Sequence, residues 1–148
     1  MYYYEDFHVG DTFDFGPLSV TEEEIIAFAR QFDPQYFHLD PERAKDSIYG
    51  GLIASGWHVG ALFTRMYVDG LLNEMAGMGS PGLEQIRWQQ PVRPGDTLRG
   101  HLTVVEARVS KSRPEMGILR VNCEMFNQDH ELVMTIVGTN YVARRKED

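Results

Sequence analysis

The sequence predicts an α+β fold, with helices gathered in the first half of the chain and an antiparallel sheet in the second. Three observations carry that expectation. Apolar residues recur at helical spacing behind Thr21 and again from Leu52, whereas from Leu98 onward they alternate with polar ones at strand period. Helices and strands are segregated along the chain, and they do not alternate as a doubly wound sheet would require.

Residues 5–16 read as a turn at Val9-Gly10-Asp11 followed by a short strand, with Phe13 and Phe15 alternating with Thr12 and Asp14. Thr21-Glu22-Glu23-Glu24 has the form of a capping box. Ile25, Phe28, Ala29 and Phe32 then mark one face of an amphipathic helix, which Pro34 should end near Phe32. Asp33 to Pro41 is expected to be irregular, with Asp40 capping a helical turn over residues 42–47. Gly50-Gly51 breaks the chain, and a buried helix is expected from Leu52 to about Val68. Gly56 and Gly60, four apart on it, would permit a close approach. The glycines and proline between Leu71 and Gly82 read as a loop. Four strands joined by short connections should follow. Three are spelled out by alternation over 98–104, alternation over 119–125 and a nearly continuous β-favouring run over 132–142. Turns fall at Pro94-Gly95-Asp96, Pro114–Gly117 and Asn127–His130.

At 148 residues, 43% apolar, the chain is expected to form one domain over 1–148. Its 8 Phe, 7 Tyr and 2 Trp supply a core that a disordered chain would lack. A net charge of -8 argues against a nucleic-acid groove. Cys123 is the lone cysteine, so an intrachain disulfide is excluded, and no Cys/His spacing suits structural zinc. Met1 to Asp6 lacks the basic start and apolar core of a signal peptide. Ser47 to Thr64 is free of formal charge, but its glycines, serines and His58 suit a core helix better than a membrane span. The expected location is the cytoplasm.

Asp33 and His38 stand close together on a segment between two helices, where a carboxylate can set the tautomer of an imidazole and polarise a water. From spacing alone the plain alternatives stay open: Asp33 as a helix stop before Pro34, and His38 as a structural loop histidine. Gly56 could offer a backbone amide to a developing oxyanion at a helix start, or merely allow close packing. Thr64, two turns on, could aim its hydroxyl at the same region or bond its own backbone. His58 reads as a core histidine. His38 and Asp40 lack further ligands at metal spacing, so no metal site is expected.

Four stretches give the chain a family resemblance. They are Glu5-Asp6-Phe7-His8-Val9-Gly10-Asp11, the loop from Asp33 to Asp40, Tyr49-Gly50-Gly51-Leu52-Ile53-Ala54-Ser55-Gly56, and Gln90-Pro91-Val92-Arg93-Pro94-Gly95-Asp96-Thr97-Leu98. In this order the chain resembles the MaoC-like (R)-specific enoyl-CoA hydratase/dehydratase family of the hotdog superfamily. The resemblance implies a single hotdog domain: a long central helix wrapped by a curved antiparallel sheet, paired as a homodimer or a dimer of dimers. It places the family's catalytic acid and imidazole on Asp33 and His38, its amide donor on Gly56 and its assisting hydroxyl on Thr64. The sequence departs from the pattern at Gln35-Tyr36, where the family has Asn-Pro, and at Ser55, where it often has His.

The activity so implied is reversible hydration of a trans-2-enoyl thioester to the (R)-3-hydroxyacyl thioester, carried on CoA or a carrier protein. No metal or redox cofactor is implied, because the thioester itself acidifies the C2 proton. A hotdog thioesterase and a non-catalytic acyl-thioester-binding subunit are the alternative readings. Trp57, Tyr36 and Phe37, bulky and near the candidate site in sequence, are expected to favour short or branched acyl groups.

Overall fold

The computed structural model describes residues 1–147. β1 (Thr12–Ser19) leads into α1 (Glu22–Phe32), and two single-turn helices follow, α2 (Tyr36–Leu39) and α3 (Pro41–Ala44). The long helix is α4 (Gly56–Gly70), after which come β2 (Gly77–Gly79), β3 (Leu83–Trp88), β4 (Thr97–Val109), β5 (Met116–Phe126) and β6 (Leu132–Ala143). The strands form one six-stranded antiparallel sheet in the order β1-β4-β5-β6-β2, with β3 also paired to β6. The architecture is α+β, as the sequence predicts.

The start of α1 follows its capping residues closely. Thr21 Oγ1 accepts from the Glu24 amide at 3.2 Å, and the Glu24 carboxylate accepts the Thr21 hydroxyl at 3.0 Å. Asp40 caps α3 in the same manner, its Oδ1 accepting from Glu42 and Arg43 amides. On α1, Ile25 and Ala29 are buried as expected, but Phe32 is 64% exposed, because the helix ends there and its last turn projects past the core.

The core lies between the sheet and α4. His58/Val59, Leu62/Phe63 and Met66/Tyr67 recur every four residues and form the buried stripe of that helix. Leu98, Leu102 and Val104 of β4, and Leu119, Val121, Cys123 and Met125 of β5, face it from the sheet. Trp57, Ala61, Thr64 and Arg65 lie on the opposite, exposed face, so within one chain the sheet wraps only part of the helix.

Three sequence expectations need correction here. The segment from Asp33 to Pro41 is not irregular throughout, since Tyr36–Leu39 forms the single turn α2. The long helix begins at Gly56, four residues later than Leu52. Leu52–Ser55 is buried yet not helical: the Ile53 amide donates sideways to Phe37 O at 3.1 Å and the Ala54 amide to Val92 O at 2.9 Å. The Ile53 carbonyl, which a helix from Leu52 would give to the Trp57 amide, is taken by the His38 ring. The stretch from Leu71 to Gly82 is more ordered than a loop, holding a 3₁₀ turn at Leu72–Glu74 and strand β2. Glycine-rich β2 carries no apolar alternation, and only its pairing with β6 makes it a strand.

Gly100 shows how tightly helix and sheet meet. It pairs with Phe15 across β1 and β4, and a Cβ there would sit 2.9 Å from the Phe63 ring and 3.4 Å from Phe15. Gly100→Ala is therefore expected to destabilise the fold by about 1–3 kcal/mol through overpacking. Urea denaturation checks this, and an unchanged midpoint would contradict the packing described.

Candidate active site

Asp33 is the residue at which α1 stops, its amide still bonded to Ala29 O at 2.9 Å. Pro34 turns the chain, and the single turn of α2 brings His38 back beside it. His38 is 5% exposed, and its Nδ1 lies 2.7 Å from Ile53 O. A carbonyl oxygen only accepts, so Nδ1 carries a hydrogen and a neutral ring presents its lone pair on Nε2. That Nε2 faces Asp33 Oδ2 at 3.4 Å.

The Asp33 carboxylate is held from two further directions. Gln35 Nε2 donates to Oδ1 at 2.7 Å, and the Ser55 hydroxyl donates to Oδ2 at 2.7 Å. Partial burial pushes the Asp33 carboxyl up, but the Ser55 bond, the Gln35 bond and the neighbouring His38 outweigh it, so the group sits below its ordinary value. It is a carboxylate at neutral pH.

Gly56 opens α4 directly behind this pair. Ser55 occupies the N-cap position yet makes no side-chain cap. Among the described residues, the amides of Gly56, Trp57 and His58 therefore have no acceptor, as expected for an uncapped first turn. The Gly56 carbonyl accepts the Trp88 indole N–H at 2.9 Å, and Trp88 stands edge-on to Trp57 with centroids 5.7 Å apart. These groups line a cavity of about 430 Å³ together with Phe37, His38, Asp33 and Val92.

The structure thus brings together Asp33, His38 and Gly56. Thr64 lies elsewhere: its hydroxyl donates to Gly60 O at 3.0 Å, and it lines a second, more apolar cavity of about 370 Å³ with Phe63, Tyr67 and Ile136. Trp57 borders both cavities, Phe37 borders the first, and Tyr36 borders neither. His58 is a core residue, stacked on Phe28 at 4.7 Å, and burial pushes its pKa down against the opposing pull of Glu24. No group of three or more His, Cys, Asp or Glu is placed to hold a metal among the described residues, and no helix there is long and apolar enough to cross a membrane.

Three site residues escaped the sequence reading. Gln35 and Ser55 stood out only as departures from a pattern, although a Ser before a helix-opening glycine looks like any N-cap. Trp88 gave no signal, since it arrives from β3, far along the chain.

Residues 6–122 match the protein family described as the MaoC like domain. The crystal structure of the MaoC-like dehydratase from Rhodospirillum rubrum superposes with a TM-score of 0.91 at 41% identity, covering 99% of this chain and 100% of that one. An uncharacterised Bacillus subtilis protein, YdeM, is 32% identical over 84% of this chain and 86% of its own length. The 3-hydroxyacyl-thioester dehydratase Z of Mycobacterium tuberculosis is 31% identical over 60% of each chain.

Both tryptophans of the chain line the first cavity, so tryptophan emission reports on it. A Cβ at Gly56 would approach the Trp88 ring to 2.7 Å. Gly56→Ala should displace Trp88 and shift the tryptophan emission while far-ultraviolet dichroism stays that of the wild type. Identical emission would mean that the indole is not seated as described.

Proposed function

The chain belongs to the MaoC-like domain family, and from that premise we propose that it catalyses the reversible hydration of a trans-2-enoyl thioester to the (R)-3-hydroxyacyl thioester. The observation that carries the proposal is the pairing of Asp33 Oδ2 with His38 Nε2 at 3.4 Å beside the uncapped amides of α4. Two acceptors face each other there, and a donor between them satisfies both. A water about 2.8 Å from each would donate one hydrogen to each, leaving its own lone pairs for attack. The relative named a 3-hydroxyacyl-thioester dehydratase supports the substrate class.

In the hydration direction the water oxygen bonds to C3 as its O–H proton passes to the pair. His38 Nε2, whose lone pair is open because Nδ1 holds the hydrogen toward Ile53 O, takes that proton. The C2–C3 π electrons move onto the thioester oxygen, where the Gly56 amide stabilises the enolate. One such donor in a closed site is typically worth about 10²- to 10³-fold in rate. The proton then returns from Nε2–H to C2, and the catalyst is restored.

The carrier is CoA or an acyl-carrier protein, and the setting is the cytoplasm, where a free thiol such as Cys123 stays reduced. The working unit is a homodimer or a dimer of dimers. Among the described residues β2 and β3 each leave one edge unpaired, and the exposed face of α4 adjoins them, so a second copy would cover both. Light scattering at micromolar concentration should give at least twice 16.9 kDa; the mass of one chain would contradict this assembly.

Loss of conjugated absorbance from a trans-2-enoyl-CoA panel tests the activity. Asp33→Asn and His38→Ala should each lower turnover at least ~100-fold, with the double variant scarcely worse than either. Asp33→Asn should melt close to the wild type. His38→Ala leaves Ile53 O without its partner and should cost about 1–3 kcal/mol of stability. Near wild-type turnover in either variant would remove the mechanism, and release of free thiol without hydration would indicate a thioesterase instead.

A further inference from the structure

Ser55 occupies a position where its hydroxyl has an obvious local task, and it does not perform it. At the N-cap of α4 a serine ordinarily accepts from an amide of the first turn. Here the side chain makes no such bond and turns to Asp33 Oδ2 at 2.7 Å, while the residue is 0% exposed. A buried hydroxyl must donate to something, and the oxygen it chooses is the one that faces His38 Nε2.

We propose that Ser55 is the positioning residue of the site: its hydroxyl occupies one lone pair of Asp33 Oδ2 and so aims the other at the reacting water that the carboxylate shares with His38 Nε2. This rests on the hydration reading above. A carboxylate oxygen has two in-plane lone pairs. With Oδ1 bonded to Gln35 and one lone pair of Oδ2 bonded to Ser55, rotation about the Asp33 side chain would break both bonds. An N-cap hydroxyl accepts from the second or third amide of its helix, here Trp57 or His58, so Ser55 gives up that cap to hold the carboxylate, while the Gly56 amide is open in either case. The resemblance had given the assisting hydroxyl to Thr64, whose own hydroxyl is bonded to Gly60 O and lines the other cavity. Asp33 ends α1, and Ser55 and His38 reach it from the segment before α4 and from α2. His38 is the titratable group that acts on it.

The test uses the full chain and Ser55→Ala, which removes one oxygen and no helix cap. Three readouts separate positioning from a structural role. The Asp33 carboxyl carbon, titrated by ¹³C NMR, should move upward in Ser55→Ala, because a hydrogen bond to the charged form is lost. With a four-carbon trans-2-enoyl-CoA, kcat should fall about ten- to hundredfold, the worth of one hydrogen bond to a charged group, while KM changes little. In an Asp33→Asn background, Ser55→Ala should bring no further loss, since both act through one side chain. An unmoved Asp33 titration, or a full additional loss in the Asp33→Asn background, would overturn the proposal. If the wild type hydrated no thioester, the reaction reading would fall, and the titration would still decide whether Ser55 holds Asp33.

Discussion

Four buried residues that are not helical, Leu52–Ser55, fix the geometry of the acid–base site. They are buried, at 5%, 6%, 4% and 0% exposure, so each polar backbone group among them needs a partner inside the protein. The Ile53 amide takes Phe37 O, the Ala54 amide takes Val92 O, and the Ile53 carbonyl takes the His38 ring. Ser55 closes the run by donating to Asp33. One extended strip therefore fixes the imidazole, the carboxylate and, by ending where it does, the first amide of α4. Had the helix begun at Leu52, its amides would open a full turn away from the acid–base pair.

The arrangement also suits both directions of the proposed hydration. The Gln35, Ser55 and His38 Nδ1 donors are already committed, and the two atoms that face each other are an anionic oxygen and a ring nitrogen with a lone pair. What fits between them is a group that donates hydrogen. In the proposed reaction a water would do so before addition, and the 3-hydroxyl of the product would do so afterwards. The oxyanion position needs the opposite, an acceptor facing donors, and the uncapped turn at Gly56 supplies it. Trp88 seals this turn from the far side by bonding the Gly56 carbonyl, which only a residue without Cβ allows.

Much of this was legible in the sequence because it is locally encoded. The caps at Thr21 and Asp40, the proline that ends α1, and the alternation of β4 and β5 each rest on neighbours in the chain. Asp33, His38 and Gly56 were legible as a pattern, although their mutual distance was not. The start of α4 was misread because burial makes an extended strip as apolar as a helix, and periodicity cannot separate the two over four residues. Gln35, Ser55 and Trp88 were missed for a related reason. Their roles exist only once α2, β3 and the start of α4 meet, and no local rule distinguishes a capping serine from one that turns away.

Precision at this site therefore comes from long-range ties and not from the elements that bear the residues. A single helical turn such as α2 or α3 has almost no stability of its own, since nucleation fixes several residues for one hydrogen bond. Their positions are set from outside. Ile53 grips α2 through both its amide and its carbonyl, while Asp40 caps α3. Arg93, from the turn before β4, donates to Tyr49 O at 2.6 Å and holds the glycine-broken segment in between. Arg93 is itself anchored, its amide bonded to Asp96 Oδ2 at 2.9 Å in the Pro94-Gly95 turn. The chain of contacts runs from the sheet through that turn to the strip at Leu52–Ser55 and on to the acid–base pair. Groups placed this way are tied by hydrogen bonds to the sheet-borne turn and not only to their own short helices, which is what the proposed attack of a bound water on C3 would require.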